Sequence, residues 1–280
     1  MFKRALLLAA VIAATTSAYA DTPATVTGLQ TPESALVGPD GRIYVSEIGE
    51  FGKDGDGQIR VIDKNGQTHV FATGMDDPKG LAVFGNNIFV ADKSRVLKVG
   101  LDGQWTVFAA ADAFPVTPQF LNDLESDKQG NIYVSDTGDL KGKGGAVYRI
   151  GKNGKVALIT NGDKDARVLG PNGLLMDGPD ALLEVDFVSG ILYRIKIRTG
   201  AIEKLAEGFG GGDGVVRGSR GVIYVSDWQN GRVFSLSRAG EVKLIKEGFK
   251  SAADIGLTRD GKFLLVPDMK AGELVWLPLN

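Results

Sequence analysis

Six residues at one register of this chain carry side chains that can hold a cation or move a proton: Glu33, Lys79, Asn122, Asn172, Asp213 and Asp254. Three carboxylates and one ammonium give a formal −2, and two carboxamides add neutral oxygens. That balance suits one divalent cation. Every ligand on offer is an oxygen, because cysteine is absent and the single histidine, His69, falls on an outer strand. Hard oxygen donors select calcium, magnesium or manganese over zinc or copper, and calcium best tolerates irregular geometry built from several strands. The competing reading is a ring of polar groups that merely satisfies backbone in a wet channel. Thiol catalysis is excluded outright, and a Ser-His-Asp hydrolase is disfavoured by the same two facts.

These residues must be positioned by a repeat. An acid follows each at a nearly fixed interval: Glu33/Glu47, Asn122/Asp136, Asn172/Asp186, Asp213/Asp227 and Asp254/Asp268 are fourteen apart. Lys79/Asp92 is thirteen apart because its turn, Gly85-Asn86-Asn87, is one residue shorter. Near copies of one strand, Ile43-Tyr44-Val45-Ser46, Ile132-Tyr133-Val134-Ser135 and Ile223-Tyr224-Val225-Ser226, precede three of those acids. A third strand is expected at 58–62, 95–99, 146–150, 191–195, 232–236 and 273–277, and a fourth at 69–72, 106–109, 156–160, 201–205 and 241–245. Helical periodicity is confined to one turn within 109–114. Four short antiparallel strands repeated six times define an all-β, six-bladed β-propeller. The last unit lacks its fourth strand, and residues 24–29 are left over to supply it and close the ring, which removes an exposed sheet edge. An open solenoid would leave its terminal faces uncapped. The first strand of each blade lines the channel, so the six opening residues ring one mouth. The trailing acids occur in every blade and read as turn caps that accept backbone N–H groups. The opening residues differ between blades, as an asymmetric site requires.

No linker interrupts the repeat, so residues 21–280 form one domain. Glycine is 39 of 280 residues and falls mostly in turns, as many short strands demand. Residues 1–20 stand apart. Lys3 and Arg4 precede an apolar stretch, and Ala18-Tyr19-Ala20 is a cleavage signature, which together define a secretory signal peptide. The mature protein is then periplasmic or secreted, with no membrane anchor after cleavage. Its formal charge goes from −2 to −4 once Lys3 and Arg4 are lost, and without a basic block nucleic acid is not an expected partner.

Four motifs sit where inner strands begin: Pro32-Glu33-Ser34, Leu121-Asn122-Asp123, Gly170-Pro171-Asn172-Gly173-Leu174 and Gly212-Asp213-Gly214. Together they resemble the gluconolactonase/regucalcin/luciferin-regenerating-enzyme-like family of six-bladed propellers, over essentially the whole mature chain. The resemblance implies one divalent metal held by Glu33, Asn172 and Asp213. It places Asn122 beside metal and substrate, close enough to join the ligand set. It also implies hydrolysis of sugar lactones and related cyclic esters. On that reading the metal polarises a lactone or ester carbonyl for attack by water, and Asp213 or the neighbouring Asp254 accepts the proton. Two departures bear on substrate. The family's arginine before the Asn-Asp motif is replaced by Gln119-Phe120-Leu121, and its tryptophan after the first glutamate by Ala35-Leu36. Phe120 and Lys79 favour a more apolar or an anionic substrate. The alternative from another class is a non-catalytic ligand- or protein-binding propeller with a structural calcium. Asp54-Gly55-Asp56-Gly57 reads as a turn, since no glutamate follows at position twelve of a calcium loop. The glycines of 208–214 lack dinucleotide-site spacing. Trp105, Trp228 and Trp276 read as inter-blade packing.

Overall fold

A computed structural model describes residues 25–63 and 66–279. Among them, twenty-four strands form six four-stranded antiparallel sheets. Consecutive inner strands lie side by side: Pro32–Val37, Pro78–Phe84, Leu121–Ser126, Pro171–Met176, Gly212–Arg217 and Gly256–Leu257, the last returning to the first through a bridge between Asp254 and Ser34. The fold is an all-β six-bladed propeller. Alternating β-branched and aromatic residues on the second and third strands fill the spaces between blades, with Tyr44, Ile59, Ile88, Leu97, Ile132 and Val134 fully buried.

The expected strands are present within three residues at their ends. The second strand of the fourth blade, Ala181–Asp186, had no counterpart in the Ile-Tyr-Val-Ser pattern. There Glu184 occupies the position of Val45, Val134 and Val225, which hides the repeat. The helical turn is a single 3₁₀ turn, Ala111–Ala113. Residues 1–20 lie outside the described residues.

The seam joins the two ends of the chain. Val26–Thr27 pairs with Glu273–Pro278 as the outer strand of the sixth blade. Leu29 follows it, donating its backbone N–H to Gly272 O at 3.0 Å. Its side chain is buried with Val45, Ile62, Leu265, Leu274 and Trp276, residues of the first and last blades. Leu29 therefore couples closure to core packing. Leu29→Ala should cost about 2–5 kcal/mol, as other large-to-small core changes do, and deletion of residues 25–30 should cost more. Urea denaturation of the two variants measures both, and a near-native midpoint for the deletion would mean the ring does not need its seam.

Candidate active site at the channel mouth

Each inner strand opens with the same irregularity. Pairing with the second strand slips between Pro32 and Ala35, Pro78 and Leu81, Leu121 and Leu124, Pro171 and Leu174, and Gly212 and Val215. The residues inside these bulges are Glu33, Lys79, Asn122, Asn172 and Asp213, each with its successor. A bulge re-aims a side chain out of the pleat, and here it turns five polar groups toward one cavity. The successors are small or acidic because neighbouring inner strands run close at this point. A Cβ on Gly173 would strike the carbonyl oxygen of Asp213, and one on Gly214 would strike the backbone of Asp254 and Ile255. This is the physical reason for Asn-Gly and Asp-Gly in the motifs.

The trailing acids have the structural role read for them. Asp136 accepts the backbone N–H groups of Gln119, Phe120 and Gly138 at 3.0, 2.8 and 3.0 Å. Asp186 accepts those of Leu169 and Gly170, Asp92 those of Asp76 and Asp77, and Asp268 those of Lys250 and Ser251. Each carboxylate clamps the chain just before it enters the inner strand.

The cavity at the mouth has a volume of about 210 Å³. Its polar floor is Glu33, Lys79, Asn122, Asn172 and Asp213, all buried. Its walls are Ile48, Phe51, Phe120, Leu140, Phe187, Trp228 and Met269. Five of the six register residues thus converge, with Phe120 beside them. Asp254 does not line this cavity. In the sixth blade Ala252 pairs with Asp268 and Gly256 with Leu265, the same one-residue slip as in the other blades, but the turn between Leu257 and Leu264 is one residue longer than that between Val37 and Ile43. The longer turn puts Ala253, not Asp254, at the register position, packed with Ile48 and Met269 near the mouth. Asp254 instead accepts a 2.5 Å hydrogen bond from Ser34 Oγ and lines a second cavity, of about 340 Å³, with Asp123 and Glu125. Counting fourteen back from Asp268 could not detect that insertion.

The floor offers oxygens without partners. Asn122 Nδ2 donates to Thr137 Oγ1 at 3.0 Å, and that hydroxyl donates to Pro171 O at 2.9 Å. The hydroxyl proton is therefore in use, which fixes the Asn122 amide orientation. Asn172 Nδ2 donates to Asp213 Oδ1 at 3.3 Å. Asn122 Oδ1, Asn172 Oδ1 and Glu33 Oε2 are left buried with no hydrogen-bond partner. Leaving such atoms bare costs about 1–3 kcal/mol each, so the set fits a bound hard cation. Among the described residues no three carboxylate, imidazole or thiolate side chains group as a metal site; the donors here are two carboxylates and two amides. Lys79 Nζ donates to Asp77 O at 3.2 Å and lies 4.2 Å from the centre of the Phe120 ring.

Charge in this floor is held at a cost. Burial raises the Glu33 carboxyl well above its ordinary range, with Asp213 and Asp254 adding to the rise and Lys79 opposing it. Burial and then Asp254 raise Asp213 likewise, against the hydrogen bond from Asn172. Burial lowers the Lys79 ammonium, opposed by Asp77 and Glu33. Negative charge at Glu33 and Asp213 is thus undercompensated by the protein.

Apart from Phe120, the apolar wall was missed in the sequence, although a register marks most of the rest. Ile48, Phe187, Trp228 and Met269 each follow a trailing acid by one residue, as does Thr137. Trp228 is therefore part of the mouth as well as packing, with its ring 6.1 Å from Phe187.

A channel mouth of this build, with bulged inner strands presenting carboxylate and amide oxygens, defines a six-bladed propeller with a polar-floored ligand site. Residues 82–252 match the model of the SMP-30/gluconolactonase/LRE-like region, and the chain belongs to that family. Among solved structures, a gluconolactonase from Xanthomonas campestris aligns with a TM-score of 0.73 at 16% identity, over 91% of this chain and 89% of that one. Virginiamycin B lyase from Staphylococcus aureus aligns with a TM-score of 0.62 at 16% identity, over 88% and 80%. At that identity the likeness is one of fold. No significant match was found among curated protein sequences.

Asp254 supplies a test of this electrostatic arrangement. Burial pushes its carboxyl up to about 7, despite the Ser34 hydrogen bond. The folded chain therefore holds a proton that the unfolded chain releases near pH 4. Stability from this group is full below about pH 4 and is lost as pH rises toward 7. Asp254→Asn keeps an acceptor for Ser34 and removes the titration. Between pH 4 and pH 8, in EDTA, the variant should gain on the parent by on the order of 4 kcal/mol. Parallel stability curves in urea would show that Asp254 is ionised at no cost.

Proposed function

We propose that this protein is an exported, divalent-metal-dependent hydrolase of the lactonase type, acting at the 210 Å³ mouth cavity. The observation that carries the reading is the convergence of unpartnered oxygens from Glu33, Asn122 and Asn172 on a floor that also holds Asp213. Membership of the family and the fold shared with a gluconolactonase support it. Export rests on the signal-peptide pattern of residues 1–20; among the described residues no helix is long and apolar enough to cross a membrane.

Glu33, Asn172 and Asp213, with Asn122, would hold the cation, for which calcium is the best match to an all-oxygen donor set. Bound there, it supplies Lewis-acid polarisation of a lactone or ester carbonyl. The raised carboxyls of Glu33 and Asp213 accord with a site that takes up a cation as it releases protons. Asp213 uses Oδ1 to accept from Asn172, which leaves Oδ2 to take a proton from the attacking water. Its elevated proton affinity suits that task better than an ordinary carboxylate would. Among the described residues Lys79 donates to one acceptor, Asp77 O, and it can donate also to the oxygen that gains charge in the transition state. Asp254 lies outside the cavity and acts on Asp213 through its charge, which makes Asp213 the preferred proton acceptor.

The test is lactone hydrolysis by purified protein with calcium and with EDTA, alongside Asp213→Asn. The variant keeps an oxygen ligand and loses the base, so kcat should fall by about 10²–10⁴ while calcium retained after dialysis falls much less. A folded, calcium-loaded protein that hydrolyses no lactone or ester in a broad panel would instead establish the ligand-binding propeller with a structural cation.

A further inference from the structure

The mouth is divided sharply between a polar floor and an apolar wall, and the wall's few polar groups are already engaged. Trp228 Nε1–H donates to Met269 Sδ at 3.2 Å. The Thr137 hydroxyl is held between Asn122 and Pro171. Phe51, Phe120, Leu140 and Phe187 offer nothing to a hydroxyl group. A polyhydroxylated ring placed here would bury several hydroxyls without partners, at about 1–3 kcal/mol each. An ionised substituent against the wall would fare worse. The cavity is also smaller than the roughly 300–1,000 Å³ of drug-sized ligand sites. It admits one small ring and a short appendage. Phe51 is 53% exposed on the loop after the first trailing acid and Leu140 43% on the corresponding third-blade loop, so both flank the entrance. Exposed apolar side chains are ordinary singly; two facing the same opening as Phe187 and Trp228 extend one continuous surface.

We propose that the substrate is a lactone or small ester bearing an uncharged alkyl or aromatic substituent, with the reacting carbonyl on the floor and the substituent against Phe187 and Trp228. A sugar lactone is the wrong ligand for this wall. The inference rests on the hydrolase reading for its reacting group, while the substituent preference rests on the wall alone.

The experiment separates the two. Binding is followed by quenching of Trp228 fluorescence with δ-lactams, which resist hydrolysis, carrying hydrogen, ethyl, butyl or phenyl groups or the hydroxyls of a hexose. Trp228→Phe identifies which of the three tryptophans gives the signal. Turnover is measured in parallel on the matching lactones. Affinity should rise about fourfold per methylene, the equivalent of ~0.8 kcal/mol, until the cavity is filled. The hexose-derived lactam should bind at least tenfold more weakly than the butyl or phenyl lactam. Phe51→Ser alters an exposed side chain, so the fold should persist, and it should weaken phenyl-lactam binding several-fold. A hexose-derived lactam that binds as tightly as the phenyl lactam overturns the proposal, as does hydrolysis of sugar lactones with no gain from alkyl chains; either leaves the hydrolase standing. A clear chain-length gain in binding, with no lactone hydrolysed, supports the wall assignment and rejects the hydrolase.

Discussion

The carboxylate at the end of each second strand is the contact on which the mouth depends. Backbone N–H groups entering an inner strand have no strand partner, and burying them bare is costly. Asp136 resolves this for two such groups at once, Gln119 and Phe120, and its counterparts in the other blades do the same for one or more. With the entering chain held, the bulge that follows is fixed in place. The direction of the next side chain is then set by backbone, before any ligand contributes. Five blades place five different side chains in this way, which lets one repeated device build an asymmetric site.

Close approach of the inner strands is the complementary constraint. Gly173 and Gly214 let carbonyl and amide groups of adjacent blades meet where a methyl group would intrude. Five polar side chains then share one small space. The same closeness makes the charges interact, so Glu33 and Asp213 resist ionisation together and Lys79 is tied electrostatically to Glu33. Function and strain arise here from one geometric fact.

Most of the fold was legible because the repeat is written in residues whose roles are local. Trailing acids, glycine turns and Ile-Tyr-Val-Ser strands each report a backbone requirement, and their spacing gives blade number and the closing strand directly. Glu33, Asn122, Asn172 and Asp213 were legible for the same reason, as variable residues at a fixed register. Asp254 was misplaced because the sixth blade's turn is one residue longer, so that the register position falls on Ala253 and not on the residue fourteen before Asp268. Beyond Phe120 the apolar wall was not found, because Ile48, Phe187, Trp228 and Met269 resemble ordinary core residues. Only their common position after an acid distinguishes them. Phe51 and Leu140 sit in loops that follow no period, and nothing in sequence places them at the mouth.

Pairing Val26–Thr27 with Glu273–Pro278 also sets an order of events. The first described strand to be synthesised has its partner in the last. Until residues 273–278 have been made, Val26–Thr27 has no strand to pair with. Blades built from local hairpins can assemble early, since their contacts are close in sequence, but the seam waits for the final residues. A chain stopped short of residue 273 keeps nearly all of its blade-forming sequence and has no means of closing the ring. Formation of the strand Glu273–Pro278 is thereby the step that commits the molecule to a closed channel, so the seam makes closure of the ring conditional on its sixth blade.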